Sequence, residues 1–188
     1  MKIGILGGTF NPIHIGHLIL AEEAREKLKL AQVIFVPAYL PPHKDNSDIA
    51  YANARLAMVK IAIKGNRYFS ASDTEIKRDG RSYTIDTLKE LKKIYPQDEL
   101  YFIIGSDLLK YLDDWKDLQE IIKMVRFIVA TRPGYPLEKI PSHISTIPIR
   151  AVDISGFEIR KAIKDNLSFR YLVPEQVYRY IVKKKLYL

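Results

Sequence analysis

The chain has 188 residues, 47% of them hydrophobic, and carries 30 Lys and Arg against 22 Asp and Glu, a formal net charge of +8. That length suits one compact domain or at most two small ones, and the mixture of apolar and charged residues excludes a disordered chain. With no cysteine there is no disulfide scaffold, no thiol chemistry and no Cys-ligated zinc or iron–sulfur site, which fits a reducing compartment such as the cytoplasm.

No run reaches the roughly 18 apolar residues of a membrane span, so no membrane-spanning segment is expected. The apolar stretch 1–8 is too short for a leader and runs straight into Thr9-Phe10-Asn11-Pro12, so none is expected. The positive balance favours anionic partners such as nucleotides, nucleic acid or a lipid surface. The only dense cluster is Lys183-Lys184-Lys185, which reads as a solvated helix end.

In chain order, residues 2–6 form a short apolar run before Gly7-Gly8 and read as a buried strand entering a tight turn. Leu18, Ala21, Ala24 and Leu28, with charges between them, predict a helix over 17–30. A strand over 32–36 ends at Pro37, and 41–47 is a polar, proline-rich loop. Helical spacing returns over 52–63 and stops at Gly65-Asn66, and 68–71 is a short strand. A helix over 83–94, apolar at Ile85, Leu88 and Leu91, closes at Pro96.

The clearest buried strand is 100–104, followed at once by Gly105-Ser106-Asp107. A short helix over 118–124 leads to a strand over 125–130, which ends at Thr131-Arg132-Pro133-Gly134. Residues 144–149 form a strand interrupted by Pro148 and therefore expected at an edge. Helices over 157–163 and 174–182 complete the chain, and Pro174 suits a first helical turn.

This alternation predicts an α/β fold with a doubly wound, mostly parallel sheet covered on both faces. Such sheets bind ligands beyond the carboxyl ends of their strands, near the switch in strand order. Three polar motifs follow predicted strands: Gly7-Gly8-Thr9-Phe10, Gly105-Ser106-Asp107 and Thr131-Arg132-Pro133.

The first of these continues to His14-Ile15-Gly16-His17. It is neither the dinucleotide G-x-G-x-x-G nor a Walker A loop. Glycines after a strand let backbone N–H groups approach a phosphate, and His14 and His17, three apart, face the same way at a positive helix end. A polyphosphate site is the favoured reading. Two surface histidines, or a metal pair lacking a third ligand, are the rivals.

The order Gly-Gly-Thr-Phe-Asn-Pro-x-His-x-Gly-His resembles the H-x-G-H nucleotidyltransferase superfamily, and within it the bacterial nicotinate-nucleotide adenylyltransferases. Further similar segments are Pro41-Pro42-His43-Lys44, Ser82-Tyr83-Thr84-Ile85-Asp86-Thr87-Leu88, Ile103-Ile104-Gly105-Ser106-Asp107, Trp115, Thr131-Arg132-Pro133-Gly134-Tyr135 and residues 154–160. The resemblance implies one Rossmann-like nucleotidyltransferase domain over 1–188, with the helical part 155–188 packed on it.

It also implies a cytoplasmic enzyme of NAD biosynthesis that moves AMP from ATP to nicotinate mononucleotide by direct in-line attack. Neither nucleic acid nor membrane is an expected partner, and self-association is left open. Other adenylyltransferases of the superfamily, acting on nicotinamide mononucleotide or phosphopantetheine, and a basic nucleic-acid-binding module are the alternatives.

The same resemblance assigns roles. His17 contacts the α-phosphate and His14 holds phosphate oxygens beside it, while Gly8, Thr9 and Phe10 line the phosphates through backbone groups. Gly105 and Asp107 serve the adenosine, Asp107 accepting its ribose hydroxyls or helping to hold Mg2+, and being also a candidate helix cap. Ser155 caps a helix whose N–H groups face phosphate, and Arg160 adds a guanidinium fork, the plain alternative being an ordinary capped helix with a surface Arg. In place of the usual small residue and Thr stand Gly156 and Phe157, and Phe157 is expected to pack inward.

For the mononucleotide, Lys44 meets a phosphate or is a solvated loop lysine. Thr84 takes the pyridine carboxylate at a helix start or belongs to a plain cap. Trp115 stacks on the ring or merely packs, and Arg132 contacts the nucleotide end or pairs on the surface. Mg2+ is expected to ride on the ATP phosphates, with no protein metal cage.

Overall fold

The computed structural model describes residues 1–41, 48–131, 140–150 and 152–188, with only the backbone of Asp107. Six strands, β1 (Lys2–Gly8), β2 (Gln32–Pro37), β3 (Phe69–Ala71), β4 (Glu99–Gly105), β5 (Arg126–Thr131) and β6 (Ile144–Pro148), form one sheet in the order β3-β2-β1-β4-β5-β6. Every pairing is parallel, with Ile5 opposite Ile34 on one side and Phe102 on the other. The fold class read from the sequence is thus observed, and β6, with Pro148, lies at an edge where a missing donor costs least.

Alternate residues of each strand point to opposite faces, and the two cores divide accordingly. On one face Leu6, Phe35, Ile103 and Ile128 are buried under α1 (Ile15–Leu28), α2 (Ala52–Ala62), α6 (Gly156–Lys164) and α7 (Glu175–Lys184). On the other, Ile5, Ile34, Phe102 and Phe127 are buried under α4 (Thr84–Ile94) and α5 (Leu118–Met124). Strands covered on both faces read as continuous apolar runs, which is why 100–104 was so plain.

Two elements lie where no helix was expected. The short α3 (Thr74–Arg78) spans five residues, too few for periodicity to register. A 3-10 helix occupies Ser106–Asp114, and Leu109, Leu112 and Trp115, three apart, all pack on the second core. A spacing of three is the period of that tighter helix. The first helix also begins earlier than its apolar pattern, because His14 in extended conformation caps it, and ends where Lys29 turns left-handed (φ 53°).

The chain runs outward from β1 to β2 and β3, then returns to β4 on the other side of β1. The switch therefore lies at the carboxyl ends of β1 and β4, where the glycine turn and Gly105 sit.

Candidate active site

The turn after β1 delivers the two histidines. His14 is buried (7% exposed) and is the N-cap of α1, so His17 falls in its first turn. The rings lie against each other, tilted by 33° with centroids 3.7 Å apart, and Phe10 lies edge-on to His17 at 5.0 Å. The His14 N–H donates to His17 Nδ1 at 3.2 Å. A ring nitrogen that accepts carries no proton, so the neutral imidazole holds its proton on Nε2, a donor at the positive end of a helix. Gly16 spares room for the ring of His14: a Cβ there would come within 3.1 Å of Nδ1.

The turn itself is fixed from outside. Ala38 N–H donates to the Gly8 carbonyl at 2.9 Å. Arg55 of α2 donates to the carbonyls of Thr9 at 2.7 Å, Ala50 at 2.8 Å and Tyr39 at 2.9 Å. Burial lowers the pKa of this guanidinium below the usual arginine value. The Asn11 side chain donates to Asp48 O and accepts from Ala50 N, at 2.9 and 3.0 Å. Arg160 Nη1 donates to Asn11 O at 2.8 Å, while its buried Nε has no hydrogen-bond partner among the described residues.

Ser155 caps α6 in a capping box: its hydroxyl accepts from Glu158 N–H at 3.2 Å, and the Glu158 carboxylate accepts from Ser155 N–H and Oγ. Gly156 is required for a close approach, since a Cβ would stand 2.9 Å from Asn11 O. Phe157 does not pack inward: it is 65% exposed, because its position on α6 faces away from the stripe that buries Ile159 and Ile163.

Gly7, Gly8, Ser82, Thr84, Phe102, Leu108 and Trp115 line a cavity of about 110 Å³, with Glu75 on its wall. Thr84 opens α4, whose N-cap is Tyr83 without a side-chain bond. Ser82 does not cap; its Oγ accepts from Tyr39 N–H at 2.8 Å. Trp115 is half-buried, edge-on to Phe102 at 5.7 Å, so packing and cavity lining coexist. Glu75 accepts from Thr87 Oγ1 at 2.6 Å, and burial pushes its carboxyl above the usual range against hydrogen bonds from Ser82 and Thr87. A larger cleft of about 670 Å³ beside β3 is lined by none of the site residues proposed from the sequence.

The structure thus groups His14, His17 and Phe10 in the turn, Gly8, Thr84 and Trp115 around the cavity, and sets Arg160 against Asn11, with Ser155 capping the same helix α6. Gly105 ends β4, the neighbour of β1, and itself caps the 3-10 helix in place of Asp107. Lys44, His43 and Arg132, and the side chain of Asp107, lie outside the described residues. Among the described residues no group of three or more His, Cys, Asp or Glu could hold a metal ion, and no helix is long and apolar enough to cross a membrane.

Sequence reading missed Arg55, Asn11 and Glu75. For Arg55 a signal existed: it lies four residues before Val59 on the apolar stripe of α2, where a charge is out of place.

The chain resembles known proteins along its whole length. Residues 5–162 match the cytidylyltransferase-like family. A Desulfitobacterium hafniense protein named "Probable nicotinate-nucleotide adenylyltransferase" is 44% identical, over 99% of this chain and 95% of its own. A Thermus thermophilus protein of the same name is 43% identical over the full length of both. The fold is shared with the Plasmodium falciparum nicotinic acid mononucleotide adenylyltransferase complexed with NaAD, at a TM-score of 0.82 and 22% identity over 99% of this chain and 97% of that one. Family match, full-length identity and fold agree: this chain belongs to the nicotinate-nucleotide adenylyltransferase family of cytidylyltransferase-like proteins.

Proposed function

We propose that this chain transfers AMP from ATP to the phosphate of nicotinate mononucleotide, releasing pyrophosphate and forming nicotinate adenine dinucleotide in NAD biosynthesis. The observation that carries the reading is the close His14–His17 ring pair at the start of α1, set where the strand order switches. A phosphate oxygen of the mononucleotide attacks the α-phosphorus; the new O–P bond forms as the bond to the β-phosphate oxygen breaks, and pyrophosphate leaves. No protein nucleophile is needed, so the site contributes position and charge stabilisation.

His17 Nε2–H donates to the α-phosphate as negative charge builds, and His14 holds a neighbouring oxygen. With their carbonyls engaged by Ala38 and Arg55, Gly8 and Thr9 turn N–H groups to the phosphates, and Phe10 supports the ring of His17. Ser155 orders the start of α6, Arg160 reaches the β- and γ-phosphates, and Gly105 and Asp107 receive the adenosine.

The cavity lined by Thr84 and Trp115 takes the pyridine ring. The positive end of α4 favours a carboxylate over a carboxamide there. Lys44 and Arg132 are assigned to the mononucleotide by family pattern alone. Mg2+ would arrive carried by the ATP phosphates and water and would neutralise charge on the leaving pyrophosphate. A cytoplasmic location follows from the same reading.

Pyrophosphate release measured with ATP and Mg2+ tests this directly. Turnover is expected with nicotinate mononucleotide and much less with nicotinamide mononucleotide or phosphopantetheine; release with none of them would sink the proposal.

A further inference from the structure

The buried charge of α2 has no part in the chemistry above, yet it touches the turn that carries it. Arg55 is 1% exposed, and its three hydrogen-bond acceptors are main-chain carbonyls from three segments: Thr9 after β1, Tyr39 after β2 and Ala50 before α2. Burying a guanidinium is costly unless its donors are satisfied in good geometry. A planar fork can meet three divergent carbonyls at once, whereas an ammonium on a flexible stem cannot. An Arg that only filled space on α2 would be replaced without loss by an apolar residue of similar size.

The same segments are tied a second time. Asn11 spans Asp48 and Ala50, and Arg160 holds Asn11 O from α6. The turn between β1 and α1 is therefore located by α2 and α6. Its displacement would be felt at Phe10, and through the Phe10 ring at His17. Tyr39 adjoins Ser82 through its N–H, so the same guanidinium reaches toward the wall of the ring cavity.

We propose that Arg55 is a positioning residue for adenylyl transfer: it sets the phosphate-binding turn relative to the chain flanking the mononucleotide cavity, so both substrates depend on it. This rests on the functional reading above. The test uses the full chain with Arg55→Lys and Arg55→Met, each melted by circular dichroism and assayed for pyrophosphate release at a temperature where it is fully folded, varying ATP and nicotinate mononucleotide separately.

The expected result is a loss of about 10- to 100-fold in kcat/KM, the effect of shifting reacting groups by roughly 1 Å, with KM raised for both substrates. Arg55→Lys should regain thermal stability ahead of activity. Activity within about threefold of wild type overturns the proposal, as does a fall in kcat with both KM values unchanged. Should neither variant fold, Asn11→Ala removes the adjoining tie while leaving Arg55 in place: raised KM for both substrates supports the inference, and unchanged values overturn it. Absence of turnover in the wild type would instead bring down the functional reading, and the inference with it.

Discussion

The two halves of the site are built differently. Around the turn after β1, beside the ring contacts of Phe10, His14 and His17, Arg55, Arg160 and Ala38 donate to carbonyls of the turn and the Asn11 side chain ties it to Asp48. Around the ring cavity the walls are mostly aromatic and aliphatic, with the hydroxyls of Ser82, Thr84 and Thr87 and one buried acid among them. The contrast follows from what each half must do. A phosphate transfer tolerates little displacement of its donors, so the backbone there is fixed by directional bonds. A ring is recognised by area and shape, which packing surfaces supply.

The largest blow to this contrast falls at His17. His17→Ala should lose about 10²- to 10³-fold in kcat while melting close to wild type, since the deleted donor acts on developing charge. Near-normal turnover would remove His17 from the mechanism.

Gly156→Ala comes next. Its methyl would meet Asn11 O at 2.9 Å, and a displaced α6 should cost about 1–3 kcal/mol in a denaturant titration. An unchanged midpoint would show that the turn side is softer than drawn.

Trp115→Ala should raise KM for the mononucleotide about tenfold, the loss expected for one aromatic stacking partner, while KM for ATP moves little. Equal rises for both substrates would erase the distinction between the halves.

Two acids give pH dependence of opposite sign. Hydrogen bonds from Lys27 and Arg150 hold Glu23 at about 2 against an ordinary 4.5. Its stabilisation is therefore full above the ordinary value and is lost as pH falls toward about 2. Glu75 is pushed upward by burial, so its contribution is full below the ordinary carboxylate value and is lost as pH rises through its folded value. Urea midpoints across pH should flatten on the acid side in Glu23→Gln and on the rising side in Glu75→Gln.

The smallest effect belongs to Phe157→Ala, within about 0.5 kcal/mol, because the ring is largely exposed. A larger loss would show that it packs on something after all.

Much of this was legible beforehand. Apolar runs marked β1, β2, β4 and β5 because strands buried on both faces leave no polar positions. Pro148 marked an edge because proline cannot donate to a ladder. The histidine pair was legible because residues three apart at a helix start, one the N-cap and the other in the first turn, bring their side chains together. The short α3 and the 3-10 helix escaped, one by length and the other because its apolar period is three. Phe157 was misjudged because a lone aromatic beside a glycine gives no hint of which face of α6 it occupies.

What the chain order alone determined is the alternation of elements, the sheet's parallel character and the identity of the residues at its mouth, all set by local periodicity and steric limits. What only the tertiary structure decided is which distant groups meet. Arg55 lies 46 residues from Thr9, and Arg160 149 from Asn11. Such pairs depend on strand order and on how the helices pack. A buried donor settles on whichever carbonyl the finished fold brings within reach, and no local pattern records that choice.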